Sequence, residues 1–175
     1  AQVQLTGNTI ANNGRETGAE AVLLSDAGTR ASMSNNAIRD NAAAGLVVEK
    51  GADGQITDNE IANNATHTAS LQVEIRGVGT QPTLANNALV GRGISLRDGA
   101  GGQLVGNSIE ATATGVALEL SGANANPIVR DNIMRGGIRV GGRAAGQIIG
   151  NSISGKQNGI EISGAGTNPT IRNNT

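Results

Sequence analysis

Short apolar runs alternate with polar bends along the whole chain. In seven such runs the apolar side chains recur with a period of about two, as in Gly93-Ile94-Ser95-Leu96 and Gly159-Ile160-Glu161-Ile162. This period predicts half-buried β-strands. Gly and Asn recur too often for stable helices, and no stretch of about ten residues keeps a 3.6-residue period. We therefore expect an all-β protein.

A second motif, apolar-x-x-Asn-x-apolar, lies between these runs. Its first copy is Leu5–Ile10, and an eighth copy begins at Ile171. Successive central Asn residues are 28, 23, 28, 20, 25, 19 and 23 positions apart. They are Asn8, Asn36, Asn59, Asn87, Asn107, Asn132, Asn151 and Asn174. Repeats of this length predict a solenoid with one coil per repeat.

The two motifs together predict a parallel β-helix of seven to eight coils of 19–28 residues, forming a single domain over residues 1–175. Each strand would pair in parallel with its copy in the next coil, about 4.8 Å away. Ile, Leu and Val would fill a narrow interior, which agrees with the absence of Phe, Tyr and Trp. Gln2–Leu5 already reads as a strand, so no cap is expected and the chain is interpreted as a segment of a longer rod.

The repeated Asn residues have a structural interpretation. Each lies at a bend between two strands, where we expect a positive φ angle and a local side-chain hydrogen bond, both of which Asn tolerates. Stacked Asn amides can also hydrogen-bond along the rod as a ladder. Gly and Pro alternate five residues before the Asn from the third copy onward, which predicts two alternating kinds of turn. These residues are Gly54, Pro82, Gly102, Pro127, Gly146 and Pro169.

Composition and charge exclude several functional classes. Thirteen basic residues stand against 14 acidic ones, so the chain lacks the basic excess of a nucleic-acid-binding surface. No apolar run is long enough to span a membrane. With no Cys, the chain has no disulfide, no thiolate nucleophile and no Cys-ligated zinc.

The Asn-x-Ile, bend, Gly-Ile-x-Ile pattern resembles the right-handed parallel β-helix of pectate-lyase-like proteins. It is most similar to the repeats of NosD-type periplasmic proteins and of carbohydrate-binding and sugar-hydrolase domains. The resemblance covers essentially the whole chain and implies a right-handed rod in an extracellular or periplasmic protein. The same superhelix carries lyases, hydrolases, epimerases, adhesins and scaffolds, so it leaves function open.

Charged residues on the alternating strands suggest two interpretations. Adjacent coils would pair Glu49 with Arg76, Arg97 with Glu119 and Arg139 with Glu161 as cross-strand ion pairs. Alternatively, this face binds an acidic or neutral glycan, with arginines clamping carboxylates. The candidate substrate-binding residues are then Glu74, Arg76, Arg97 and Arg139.

A catalytic site is not expected in these residues. A uronate lyase needs carboxylates for Ca²⁺ and a nearby base, and an inverting glycosidase needs two carboxyl groups about 6.5–9.5 Å apart. Asp58 and Asp131 are three coils apart, so we expect them to satisfy turn amides. If a site exists, the candidate catalytic residues are Glu60, His67 and Glu74. No metal or cofactor is expected, and Ca²⁺ would be required only by a lyase.

The sequence thus favours a structural or ligand-presenting rod that binds polysaccharide or a cell-surface partner. Flanking caps or end-to-end self-association would cover its ends. The alternative is a segment of a polysaccharide lyase, epimerase or hydrolase. Ice binding is disfavoured, because the column two residues before the Asn changes from Thr6, Ser34 and Thr57 to residues such as Val105 and Arg130.

Overall fold

The computed structural model describes residues 1–66, 71–112, 115–155 and 158–175, which form three parallel sheets. Strands are numbered along the chain. The first sheet contains β1 (Gln2–Thr6), β4 (Arg30–Ser34), β7 (Asp53–Thr57), β10 (Thr83–Ala85), β13 (Gln103–Val105), β16 (Ile128–Arg130), β19 (Gln147–Ile149) and β22 (Thr170–Arg172).

The second sheet contains β2 (Thr9–Ala11), β5 (Ala37–Arg39), β8 (Glu60–Ala62), β11 (Ala88–Gly91), β14 (Ser108–Ala111), β17 (Ile133–Arg135) and β20 (Ser152–Ser154). The third sheet contains β3 (Val22–Ser25), β6 (Leu46–Glu49), β9 (Val73–Arg76), β12 (Ile94–Arg97), β15 (Val116–Ser121), β18 (Gly137–Val140) and β21 (Ile160–Ile162). One strand of each sheet makes one coil, so the predicted all-β parallel solenoid is confirmed. No helix in the described part of the chain is long and apolar enough to cross a lipid bilayer.

The core consists of columns of aliphatic side chains that run through all coils. In the first sheet, Met33 is paired with Ile56, and Ile56 with Leu84, and all three side chains are completely buried. The second sheet adds the column that contains Ile38 and Ile61. Each coil contributes only a few such side chains, so burial depends on stacking against neighbouring coils.

Two kinds of turn alternate between the third and first sheets, as predicted. In one kind, two consecutive residues have positive φ, as in Lys50-Gly51 and Asp98-Gly99. In the other kind, the two positive-φ residues are separated by one residue, as at Gly77 and Gly79.

The Gly and Pro residues that follow these turns lie against each other in neighbouring coils, and their shapes are complementary. A Cβ atom at Gly102 would overlap the carbonyl oxygen of Pro82, and one at Gly146 would lie 2.8 Å from that of Pro127. Both glycines also have positive φ, at 96° and 114°. The coil that stacks on a Pro-containing coil therefore needs Gly at this position.

Candidate functional site

The eight repeated Asn side chains form a continuous hydrogen-bonded ladder along the rod, which we call the long ladder. At a typical step, Asn87 Oδ1 accepts hydrogen bonds from the backbone N and the Nδ2 of Asn59, both at 3.0 Å. Asn87 Nδ2 donates to Asn107 Oδ1 at 3.0 Å and to Ile56 O at 2.8 Å. Asn87 is only 1% exposed. Its amide is fully occupied by the protein, which supports a structural role.

The positive φ angle is not at the ladder residue, contrary to the prediction. It is at the residue immediately before each ladder Asn, with φ between 54° and 67°. These residues are Gly7, Asn35, Asp58, Asn86, Gly106, Asp131, Gly150 and Asn173. Gly, Asn and Asp are the residue types that tolerate this conformation best.

The two aspartates at these bends do not satisfy turn amides, so that prediction was wrong. The carboxylate of Asp131 accepts a hydrogen bond from Arg130 at 3.0 Å. The side chain of Asp58 makes no hydrogen bond with the described residues. The left-handed backbone conformation accounts for both aspartates.

A second ladder, which the sequence analysis missed, follows the first three strands of the second sheet. Asn13 donates to Asn41, and Asn41 donates to Asn64, through the same paired backbone and side-chain bonds of 2.7–3.2 Å. Gln72 ends this short ladder: its Oε1 accepts from Asn64 N and Nδ2 at 3.1 and 2.9 Å, and its Nε2 donates to Asn64 O at 3.0 Å. A sequence signal existed, because each of its three asparagines lies five residues after a long-ladder Asn.

Four charged residues on the outer face of the third sheet form a network, which we call the charged strip: Glu49, Glu74, Arg76 and Arg97. Arg76 Nε and Nη2 each lie 2.7 Å from Glu49 Oε2, and Arg76 Nη1 lies 3.3 Å from Glu74 Oε2. Arg97 Nη2 lies 3.2 Å from the same Glu74 oxygen. The two Glu side chains are only 12% and 13% exposed, so they are largely removed from solvent.

The ion pair shifts both of its members toward their charged forms. The hydrogen bond from Arg76 holds the pKa of Glu49 below its usual value, although burial acts in the opposite direction. Burial acts to lower the pKa of Arg76, but its hydrogen bond to Glu49 and the nearby acidic charges raise it overall. The pair therefore remains ionised at neutral pH.

Two of the three predicted ion pairs are confirmed. Arg76 pairs with Glu49, and Arg139 Nε lies 3.7 Å from Glu161 Oε2. The pairing of Arg97 with Glu119 was wrong. Leu118, and not Val116, pairs with Ile94 and Ile138, which places Glu119 beside Ser95 and Arg139 instead.

The structure separates the candidate catalytic residues. Glu60 is exposed on β8 of the second sheet, whereas Glu74 lies on β9 of the third sheet, so they belong to different faces. His67 lies outside the described residues. Within the residues that the structure describes, no group of three or more His, Asp or Glu side chains could hold a metal ion.

The candidate substrate-binding arginines all have carboxylate partners. Arg76 and Arg97 contact Glu74, and Arg139 contacts Glu161. A ligand carboxylate would have to compete with these groups. By contrast, the buried Nε of Arg92, which lies between β11 and β12, has no hydrogen-bond partner. Every other buried side-chain nitrogen or oxygen of the described residues has one.

The outer face of the first sheet carries a column of exposed glutamines, which we call the amide strip: Gln4, Gln55, Gln103 and Gln147. In the strand register these residues alternate with Ser32, Thr83, Ile128 and Thr170. One Gln therefore recurs every second coil, or about every 9.6 Å. Within the described residues, their side-chain amides make no hydrogen bonds.

Shallow cavities adjoin the amide strip. One of about 210 Å³ has Gly101 and Gly102 in its lining, together with the side chains of Gln81, Gln103 and Asn126. Another of about 330 Å³ includes Gly54 and Gln55. The sequence signal for this surface is the alternation of Gly-Gln with Gln-Pro or Asn-Pro at the starts of these strands.

A family model described as a right-handed β-helix region matches residues 1–175. No curated protein and no solved structure matches the chain significantly.

Proposed function

The chain belongs to the family of right-handed β-helix proteins, and from this premise we propose that it is a rigid rod that binds an extended neutral polysaccharide along its first sheet. The observation that carries the proposal is the amide strip. Its glutamines are exposed, their side chains make no hydrogen bonds with the residues that the structure describes, and they recur at a fixed spacing. Since such polymers occur at cell surfaces, the proposal places the rod in the periplasm or outside the cell.

Rigidity comes from the long ladder. Its bonds connect each coil to the next at the same bend, from Asn8 to Asn174. Because the amides are buried in most coils, breaking one bond would leave a desolvated donor or acceptor. A rod of this kind keeps its surface groups in a fixed array, which lowers the entropy lost when an extended ligand binds.

The chemistry of the strip suits neutral sugars. An amide both donates and accepts hydrogen bonds, as a sugar hydroxyl does. Around the cavity at Gly102 the neighbouring outward positions Gln81, Thr83 and Asn126 are uncharged, so a neutral chain would desolvate no ion there. Two coils span about 9.6 Å, close to the length of a disaccharide in an extended β-linked glycan.

The absence of aromatic residues makes each contact weak. No Phe, Tyr or Trp ring is available to stack on a sugar. Binding would then depend on many equivalent contacts along one polymer, and affinity should rise steeply with chain length. This dependence separates the proposed mode from a deep pocket for one sugar.

Binding to a panel of insoluble and soluble polysaccharides tests the proposal. The triple variant Q55A/Q103A/Q147A should bind neutral β-linked glycans about tenfold or more weakly, because each lost hydrogen bond contributes about 0.5–1.5 kcal/mol. The matched control T9A/S108A/S152A changes three exposed polar residues on the outer face of the second sheet. Equal binding by both variants, or no binding by the wild-type rod, would overturn the proposal.

A second function is favoured by the unpartnered Nε of Arg92. A guanidinium that has no acidic partner among the described residues, two residues before β12, provides a positive charge for a uronate carboxylate. This would suit an acidic polysaccharide, either bound or cleaved. Assays for unsaturated products and new reducing ends, with R92Q and E74Q as variants, distinguish cleavage from binding alone.

A further inference from the structure

The chain contains two Asn-Gly pairs, Asn13-Gly14 and Asn158-Gly159, in very different surroundings. We propose that Asn158 is a site of spontaneous deamidation to isoaspartate and aspartate, and that the short ladder protects Asn13 from the same reaction. The modification at Asn158 would loosen β21, which begins two residues later.

The reaction needs only water and base. The backbone nitrogen of Gly159, after loss of its proton, attacks the side-chain Cγ of Asn158 and forms a new C–N bond. The side-chain nitrogen takes up a proton and leaves as ammonia, which gives a cyclic imide. Water then opens either C–N bond of the imide, producing aspartate or, with one extra carbon in the main chain, isoaspartate.

Attack requires the Asn side chain to rotate toward the following nitrogen, and Asn13 is held against this rotation. Its Nδ2 donates to Asn41 Oδ1 at 3.0 Å and to Ala11 O at 3.2 Å. Its backbone N also donates to Asn41 Oδ1 at 2.9 Å, and its backbone O accepts from Ala42 N at 2.9 Å. Both sides of the peptide are therefore fixed to the next coil.

The loop after Asn13 adds a second constraint. Gly18 N donates to Gly14 O at 2.8 Å, and a Cβ on Gly14 would overlap Ala19 O. Gly14 also has a φ of 73°. The nucleophilic nitrogen of this pair thus belongs to a closed turn and has little freedom to approach Cγ.

Asn158 has none of these restraints. Asn158 is exposed, and its side chain makes no hydrogen bond with the described residues. Gly159 does not have a positive φ, and a Cβ built on it would meet no atom within 4 Å. The side chain can therefore rotate, and the following nitrogen is sterically open to it.

The hydrogen bonds and contacts of the backbone around Asn158 explain why isoaspartate at this position would weaken the local structure. Gly159 O accepts a hydrogen bond from Ile138 N at 2.9 Å, and Asn158 O lies directly over the α-carbon of Gly137, where a side chain would not fit. An additional main-chain carbon at residue 158 cannot keep both positions. We expect the isoaspartate form to lose the bond to Ile138 and to weaken the pairing of β21 with β18.

Peptide mass spectrometry of the folded chain, incubated at mildly alkaline pH, tests the proposal. The peptide with Asn158 should gain one mass unit at least tenfold faster than the peptide with Asn13, with isoaspartate as the main product. In urea, where the ladder is lost, the two rates should become similar. Equal rates in the folded protein, or unequal rates that persist in urea, would overturn the role of the ladder.

Two variants separate the chemistry from its consequence. G159A should slow the reaction at residue 158 about tenfold without unfolding the chain, because the structure has space for the added methyl group. N158D carries the charge of the product without the extra main-chain carbon, so it should retain slow hydrogen exchange at Ile138, whereas aged wild-type protein should lose it. Loss of protection in N158D, or retention in the isoaspartate form, would contradict the proposed loosening.

Discussion

The long and short ladders use the same hydrogen bonds, yet one runs through the rod and the other stops at Gln72. The long ladder lies at the bend between the first and second sheets, where every coil has one positive-φ residue followed by Asn. The short ladder lies where the second sheet turns toward the third, and that connection varies from one residue between β17 and β18 to ten residues between β8 and β9. A ladder therefore continues only where successive coils repeat the same backbone.

The largest effect should come from interrupting the long ladder. N87A removes the acceptor of two Asn59 donors and the donor to Ile56, all of them buried. Since unsatisfied buried groups cost about 1–3 kcal/mol each, we expect a loss of about 3–5 kcal/mol in the free energy of unfolding. Urea denaturation measures it. N86G, at the adjacent positive-φ position, is the matched control and should change stability by less than about 1 kcal/mol.

The short ladder should be less sensitive, because Gln72 is its last member. Q72A leaves Asn64 N and Nδ2 without their acceptor, so we expect a loss of about 2–3 kcal/mol. The effect should be local, with faster hydrogen exchange at Asn64 and Asn41 and little change at Asn132. Uniformly faster exchange throughout the rod would show that the two ladders are not independent.

The bend itself can be tested without removing a ladder amide. Asp58 has a φ of 56°, and its side chain is not hydrogen-bonded to the described residues. D58V places a β-branched residue in the left-handed region and should cost about 1–2 kcal/mol, whereas D58G should be close to neutral. If both variants unfold at the same urea concentration, backbone conformation is not what selects residues at this bend.

The smallest effect should come from the charged strip, which lies outside the core. Because the folded state lowers the pKa of Glu49, its contribution is present above the usual pKa of 4.5 and is lost as the pH falls through the lowered value. We expect less than about 1 kcal/mol for this partly exposed pair. E49Q should flatten the pH dependence of unfolding below that point, and an unchanged slope would contradict the assignment.

Much of the fold could be predicted because strand spacing and the Asn repeat are direct consequences of stacking. Apolar residues such as Met33, Ile56 and Leu84 recur at fixed distances from the ladder Asn, so their common column is visible in the sequence. The error at Glu119 has a physical cause: Leu118 rather than Val116 pairs with Ile94, and this shift of two residues changes which residues face each other.

The candidate sites were harder to predict, because residues that bind a ligand do not have to recur at fixed positions in every coil, as the core residues do. The charged residues of the third sheet stand out in the sequence, but they form the charged strip, where the arginines already contact Glu49 and Glu74. The amide strip was missed because uncharged glutamines such as Gln55 and Gln103 are unremarkable individually. Only the strand register places them in one column.

The fit between Gly and Pro also constrains how such a rod can change its length. Since Gly102 must stack on Pro82, and Gly146 on Pro127, loss of a single coil would bring two like turns together and break the match. Loss or gain of two coils, 42 to 51 residues in this chain, would preserve it. The unit of inheritance is then a coil pair, and relatives of this protein should differ in length by multiples of that pair.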